Sequence, residues 1–367
     1  MGAEGGAGAL LTIDLDAVAA NYRRLQARLT GAACGAAIKA DAYGLGALRV
    51  GPALARAGCR DFFVAHLDEG VALRPCLPGA TIHVLNGVLP GEEAAFAAHG
   101  LIPVLNSLPQ LDRWARWARE HGILPAALHI DTGMSRLGLE ESDLDTLAND
   151  PGRLKGIDLQ LVLSHLACAE EPDNPMNAAQ RTAFEHARRR LPDARASLVN
   201  SSGIFLGPDY QFDLARPGAA LYGVNPTLGR PNPMLPVVRL EGRIIQVRDI
   251  DRPRTVGYGA AHPIRRRSKI ATVAIGYADG YLRSLSGRGK CRLAGLEVPI
   301  VGRVSMDLIT VDITDVPADQ AVEGTVVEAI GPEHTVDDVA EIAGTNGYEI
   351  LTSLGPRYRR RYIGAGA

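Results

Sequence analysis

Lys39 closes an apolar run in AAIKADAYGLGA, residues 36–47, with Tyr43 four positions further on. A lysine carried into a protein interior is costly unless it is paired or used covalently. Burial and nearby positive charge also lower its pKa, which makes the amine a usable base and nucleophile near neutral pH. Other reactive groups follow along the chain: Arg136 in DTGMSRLG, His165 in LSHLACAE, Asn200 and Ser201 in NSSG, and Arg216 in DLARPGAALYG. Taken singly, each has a plainer reading: a strand-end lysine, a satisfied core histidine, a salt-bridged arginine, a helix-capping turn. Taken together they suit a phosphate-bearing cofactor, because small residues after Asn200 and Arg216 let backbone N–H groups approach an anion closely.

Such a set needs a scaffold that gathers it. From residue 33 to about 220, short β-rich apolar runs alternate with longer helical patterns, which is the mark of repeated βα units and a parallel sheet. The predicted strands are 34–38, 61–65, 82–86, 101–105, 126–130, 159–165, 196–200 and 212–216, with helices predicted over 46–58, 108–122 and 176–191 and one before the first strand at 15–29. Eight such strands predict an α/β fold, a (β/α)8 barrel, whose C-terminal strand ends meet on one face. Lys39 then follows strand one, Arg136 follows strand five, and His165, Asn200 and Arg216 end strands six, seven and eight. All fall on one rim, and the loops after strands seven and eight are where such barrels often hold phosphate.

After GRPNPMLP, residues 229–236, the pattern turns to alternating strands with a late helix near TVDDVAEIAG. We expect a barrel over 10–231 and a second, mostly β domain over 232–367 that includes the N-terminal segment 1–9. With 367 residues, 46% hydrophobic and 22% charged, the chain is long enough for both. A formal net charge of −2 argues against nucleic acid or an anionic membrane as partner. The five cysteines are scattered without zinc-type spacing, so no metal is expected, and they fit a reducing compartment. No secretory leader or membrane span is read, and the expectation is a cytoplasmic protein.

The motifs AAIKADAYGLG, HIDTGMSRLG, LSHLACAE, NSSG, DLARPGAALYG, VGYGAAH, AIGYADGY and VGRVSMD, in this order, resemble those of the alanine racemases, pyridoxal 5′-phosphate enzymes of the barrel (fold-type III) class. The likeness spans nearly the whole chain, and its last motifs lie in the second domain. It implies that Lys39 forms the covalent link to pyridoxal phosphate. Tyr43, Asn200, Ser201, Gly218, Ala219 and Tyr222 become cofactor contacts on the phosphate side, His165 stands beside the pyridine ring and Arg216 faces the ring nitrogen. Tyr258 is implied as a second catalytic base delivered by the partner of a homodimer, with Arg136 and Met306 around the substrate carboxylate and Tyr281 at the entrance passage.

Racemisation removes the α-proton from one face and returns one to the other, so it requires bases on opposite sides. A phenol has a pKa of about 10 and needs a cationic neighbour to act as a base, for which His165 and Arg136 are the candidates. Two positions depart from common family patterns: His129 stands where many members carry a lysine, and Pro356 precedes Arg357 where many carry a phosphate-contacting tyrosine. A broader-specificity racemase and a barrel-type decarboxylase are the nearest alternatives. The cysteine-bearing motif that ends such decarboxylases is missing here. A non-catalytic pyridoxal phosphate carrier is a third alternative, but it would lack the second domain.

Overall fold

The computed structural model of the chain describes residues 8–365, so part of the 1–9 segment lies outside the described residues. Strands Ala36–Ala37, Asp61–Val64, Thr81–Val84, Ile102–Leu105, Leu124–His129, Ile157–Leu163 and Arg195–Ser197 pair in that order, all parallel. Backbone bonds then close the ring through an eighth strand, Leu214–Ala215. Its neighbours on one side are bonded by Asp213 N–H to the Ala196 carbonyl, 3.0 Å, and Arg216 N–H to that of Val199, 2.9 Å. On the other side Gly35 N–H donates to the Ala215 carbonyl at 2.9 Å and Ala37 N–H to that of Pro217 at 2.8 Å. The predicted barrel is therefore present, with each of the eight strands within a few residues of its expected place.

Several of these strands form as short apolar runs buried on both faces, as Phe62–Val64 and Ile102–Leu105 are, while Ile157–Leu163 is buried only over its last three residues. Inside the barrel Ala37, Phe63, Val104, Ala127, Leu163 and Leu214 fill the interior as one cluster. The outer helices follow the expected caps. Ser107 accepts from Gln110 N–H at the head of Leu108–His121, and Asn174 from Met176 N–H at the head of Pro175–Arg188.

The second sheet has eight strands, six of them in the path Leu296–Pro299, Lys290–Leu293, Val326–Ile330, Val238–Ile250, Ala9–Asp14, Arg359–Ile363. The 13-residue strand Val238–Ile250 is its axis: a bulge between Ile244 and Gln246 lets its far half pair with Ser268–Val273 instead. Ala9–Asp14 pairs antiparallel with this axis and parallel with Arg359–Ile363, so the expected division after residue 9 falls inside a strand of the second sheet. A two-stranded hairpin, Arg254–Val256 with His262–Ile264, projects from this domain on a small apolar cluster of Ile250, Val256, Ile264, Ile270 and Val301. The late helix is Val336–Ala343, capped by Thr335, and a further helix, Gly347–Ser353, was not anticipated. Among the described residues, no helix is long and apolar enough to cross a membrane, and no cluster of side chains has the makeup of a metal site.

Candidate active site

The rim of the barrel surrounds a cavity of about 550 Å³. Lys39, Tyr43, His129, Arg136, His165, Asn200, Ser201, Arg216, Gly218 and Ala219 all line it, so the sequence-predicted rim set converges. The positions come from five different strand ends, as a barrel dictates.

Lys39 is followed by an unusual turn. Ala40, Asp41, Ala42 and Tyr43 all have left-handed backbone angles, with φ of 52–55°. For residues carrying a Cβ this costs roughly 1–2 kcal/mol each and persists only where the surroundings impose it. Here Asp41 accepts from the Ala47 N–H at 2.7 Å and Ala42 N–H donates to the Ile38 carbonyl at 2.9 Å. The turn carries Tyr43 back over the loop after strand eight. A Cβ on Gly218 would lie 2.3 Å from the Tyr43 hydroxyl, so this position admits only glycine beside that tyrosine. Ser201 Oγ accepts from the N–H groups of Gly218, 3.0 Å, and Ala220, 3.2 Å, drawing the loops after strands seven and eight into one cradle.

Arg216 is buried at the cavity wall. Its guanidinium donates to the Ser197 hydroxyl at 2.5 Å, to the Ser164 carbonyl at 2.6 Å and to His165 Nδ1 at 3.4 Å. Burial lowers its pKa to about 10, which leaves it charged at neutral pH. Because Nδ1 of His165 accepts, the ring proton sits on Nε2. Burial, with Arg216 and Arg136 nearby, holds the His165 pKa well below the ordinary histidine range. His165 is therefore neutral, which removes it as an expected source of positive charge and leaves Arg136 as the other expected cation. Lys39 is lowered in the same way, by burial first and then by Arg136, with Glu69 opposing.

Arg136 is presented by a loop wrapped around one carboxylate. Asp131 Oδ1 accepts from the N–H groups of Gly133, Met134 and Ser135 at 2.8, 3.0 and 3.1 Å. His129, at the end of strand five, is fixed by Asn106. The Asn106 amide donates to the Leu85 and Val104 carbonyls at 2.9 and 2.8 Å, so its oxygen faces His129 Nδ1 at 2.8 Å and that nitrogen must donate. Burial, together with Arg216, brings the His129 pKa down to about 4, so a neutral imidazole offers Nε2 as an acceptor at the cavity.

Four predicted site residues lie elsewhere in the single chain. Tyr222 is fully buried behind Tyr43, rings 4.9 Å apart, with its hydroxyl donating to the Ala37 carbonyl at 3.0 Å. It supports the cradle without lining the cavity, which corrects its expected place among the cofactor contacts. Tyr281 is only 2% exposed and lies in the core of the second domain, so it cannot stand at an entrance. The exposed aromatic of that motif is Tyr277, whose N–H donates to the Ser305 carbonyl at 3.0 Å, next to Met306. Tyr258, at the tip of the hairpin, is 72% exposed and Met306 is 54% exposed, and neither lines the cavity of its own chain. Sequence reasoning missed Asn106, Asp131 and Tyr348; the last lines the cavity and donates to Glu170 at 2.5 Å. Only the D-T-G turn pattern around Asp131 offered a local signal.

A (β/α)8 barrel joined to a β domain, with a buried lysine and an anion cradle on one rim, defines a class of barrel enzymes built for a phosphate-bearing carbonyl cofactor. Residues 13–226 match the alanine racemase N-terminal domain and residues 237–362 the alanine racemase C-terminal domain, and the chain belongs to the alanine racemase family. It is 55% identical over 367 residues to the alanine racemase of Rhodospirillum rubrum, covering 99% of this chain and 98% of that protein. It is 52% identical to a catabolic alanine racemase of Mesorhizobium japonicum, covering 98% and 95% respectively. Among solved structures, the alanine racemase of Bartonella henselae with covalently bound pyridoxal phosphate superposes with a TM-score of 0.94 at 43% identity, covering 98% of this chain and 100% of that one.

Proposed function

We propose that this chain interconverts L- and D-alanine with pyridoxal phosphate held at the barrel rim, using Lys39 and the Tyr258 of a second copy as opposed bases. The observation that carries the reading is the convergence of Lys39, Arg136 and Arg216 with the Tyr43–Ser201–Gly218 cradle on one cavity. The residues present fit the cofactor. Lys39 is the one lysine lining the cavity among the described residues, and Gly218 leaves room for the Tyr43 hydroxyl to stand beside Ser201 and Ala219, a polar corner suited to a phosphate. Tyr43, Asn200, Ser201, Gly218 and Ala219 would hold that end, and Arg216 with His165 the ring. When bound, pyridoxal phosphate supplies an electron sink that acidifies the α-hydrogen of an attached amino acid.

The chain's own groups do the rest. Lys39, lowered by burial and by Arg136, moves a proton at the α-carbon from one side. Arg136, poised by the Asp131 turn, is suited to the substrate carboxylate. Arg216 donates and does not give up its proton, so it would leave a pyridine nitrogen facing it unprotonated and the electron sink weak, which would favour return of the proton to the α-carbon.

The exposure of Tyr258 and Met306 supports a homodimer in which each second domain completes the other barrel's site. In that setting Arg136 is the cation that lowers the phenol. We place the enzyme in the cytoplasm, and its D-alanine would serve either peptidoglycan precursors or alanine breakdown. The test is complementation. Lys39→Ala and Tyr258→Phe homodimers should each lose about 10³-fold or more of racemase activity. Co-expression of the two variants should restore it, because one site of a mixed dimer keeps both bases. No recovery in mixed dimers of verified composition would refute the shared site.

A further inference from the structure

Four consecutive left-handed residues directly after Lys39 need something to hold them, and the outermost contact comes from a residue that does not line the cavity. Glu69 lies in the helix Leu67–Leu73, which follows the second barrel strand. Its Oε2 accepts from the N–H groups of Ala65, 2.7 Å, and His66, 3.0 Å, the ordinary work of a glutamate in a capping box. Its Oε1 accepts from the Ala40 N–H at 2.5 Å, a bond across to another barrel loop that helix capping does not require. Ala40 is the first residue after the lysine and itself has φ 52°. Its side chain is exposed, so apolar packing does not hold it in place.

We propose that Glu69 is a positioning residue for Lys39: its carboxylate fastens the start of the left-handed turn to the loop after strand two and so sets the direction in which the amine enters the cavity. The carboxylate suits the task because both oxygens accept and neither donates. A glutamine would turn an NH2 toward at least one of the N–H groups now satisfied. An aspartate, one methylene shorter, could not span both loops. The charge has a second consequence, since Glu69 opposes the lowering of the Lys39 pKa by burial and Arg136.

The inference rests on the proposed reaction of Lys39 with pyridoxal phosphate, and the test separates the two. Cofactor-free full-length wild type, Glu69→Gln, Glu69→Ala and Glu69→Ala combined with Ala40→Gly are titrated with pyridoxal phosphate, following the visible absorbance gained as the lysine bonds to it. Glu69→Ala should bind about tenfold more weakly, as expected for losing a charge-assisted hydrogen bond at this position. Glu69→Gln, nearly isosteric, should weaken binding in the same direction and serves if the alanine variant fails to fold. Ala40→Gly should restore much of the loss, because glycine takes positive φ without the Cβ penalty. A role confined to helix capping would not be rescued at Ala40. Wild-type affinity in the Glu69 variants, or no rescue by Ala40→Gly, overturns the inference. Wild-type protein that gains no absorbance with pyridoxal phosphate would instead overturn the functional reading itself.

Discussion

The two ends of the barrel treat charge in opposite ways. At the end where the strands begin, Asp61 accepts both terminal nitrogens of Arg195 at 3.1 and 3.2 Å and contacts buried His83 Nε2 at 3.3 Å. Burial raises the Asp61 pKa, but the bonds from His83 and Arg195 outweigh it and hold the carboxyl below its ordinary range. At the end where the strands finish, Lys39, Arg136 and Arg216 crowd one cavity with two neutral histidines; its one lining carboxylate among the described residues, Glu170, is bonded to Tyr348 instead. Phe63 lies between, stacked on His83 at 4.6 Å and under the Arg216 guanidinium at 5.9 Å. One end is a finished ion network that holds strands together; the other is cationic and open, made to take up anionic groups.

That contrast can be broken at either end. The largest effect is expected from Arg216→Glu, which puts a carboxylate into the cationic rim. Racemisation should fall by about 10² or more, as for loss of a preorganised electrostatic group. Keto acid formation from alanine should rise, because the ring nitrogen would now hold a proton; unchanged partitioning between racemate and keto acid would exclude this role. Arg136→Gln should raise KM for alanine by about tenfold or more through loss of a charge-assisted carboxylate contact. It should also move the acid limb of the rate profile to higher pH: Arg136 lowers the Lys39 pKa, so its removal raises it, and the free amine is reached later. A limb that stays in place would separate Arg136 from Lys39.

At the closed end, Asp61→Asn should cost about 1–2 kcal/mol of folding stability, by weakening the charge-assisted bonds from half-exposed Arg195 and removing the charge beside His83. Assayed where the variant is fully folded, kcat should change little. The pH dependence has a definite sign. A carboxyl depressed in the folded state contributes stability above its ordinary value and loses that contribution as pH falls through the folded one. Denaturant titrations of wild type should therefore weaken toward acid, and the Asn variant should lack that part of the slope.

The barrel was legible because several of its strands are apolar on both faces and punctuated by amphipathic helices, so Asp61–Val64 and Ile102–Leu105 stand out by composition alone. The rim was legible because strand order converts sequence position into place: Lys39 and Arg216, far apart in the chain, had to meet. What stayed hidden depends on contacts without a local pattern. Tyr222 and Tyr281 share tyrosine-bearing motifs with exposed or cavity-lining neighbours, and only packing shows that both turn inward. The neutrality of His165 follows from burial beside Arg216, which no spacing announces. Glu69 reads as a helix cap until its other oxygen is seen to reach Ala40.

The strand Ala9–Asp14 lies between Val238–Ile250 and Arg359–Ile363, so a strand that precedes the barrel is seated against two that follow it. During synthesis the barrel's local βα contacts can form as the chain emerges, but this seat stays open until Arg359–Ile363 has left the ribosome. The platform that carries Tyr258 is thus completed after the barrel, and a truncated product stopping short of residue 359 would lack one of the two partner strands of Ala9–Asp14.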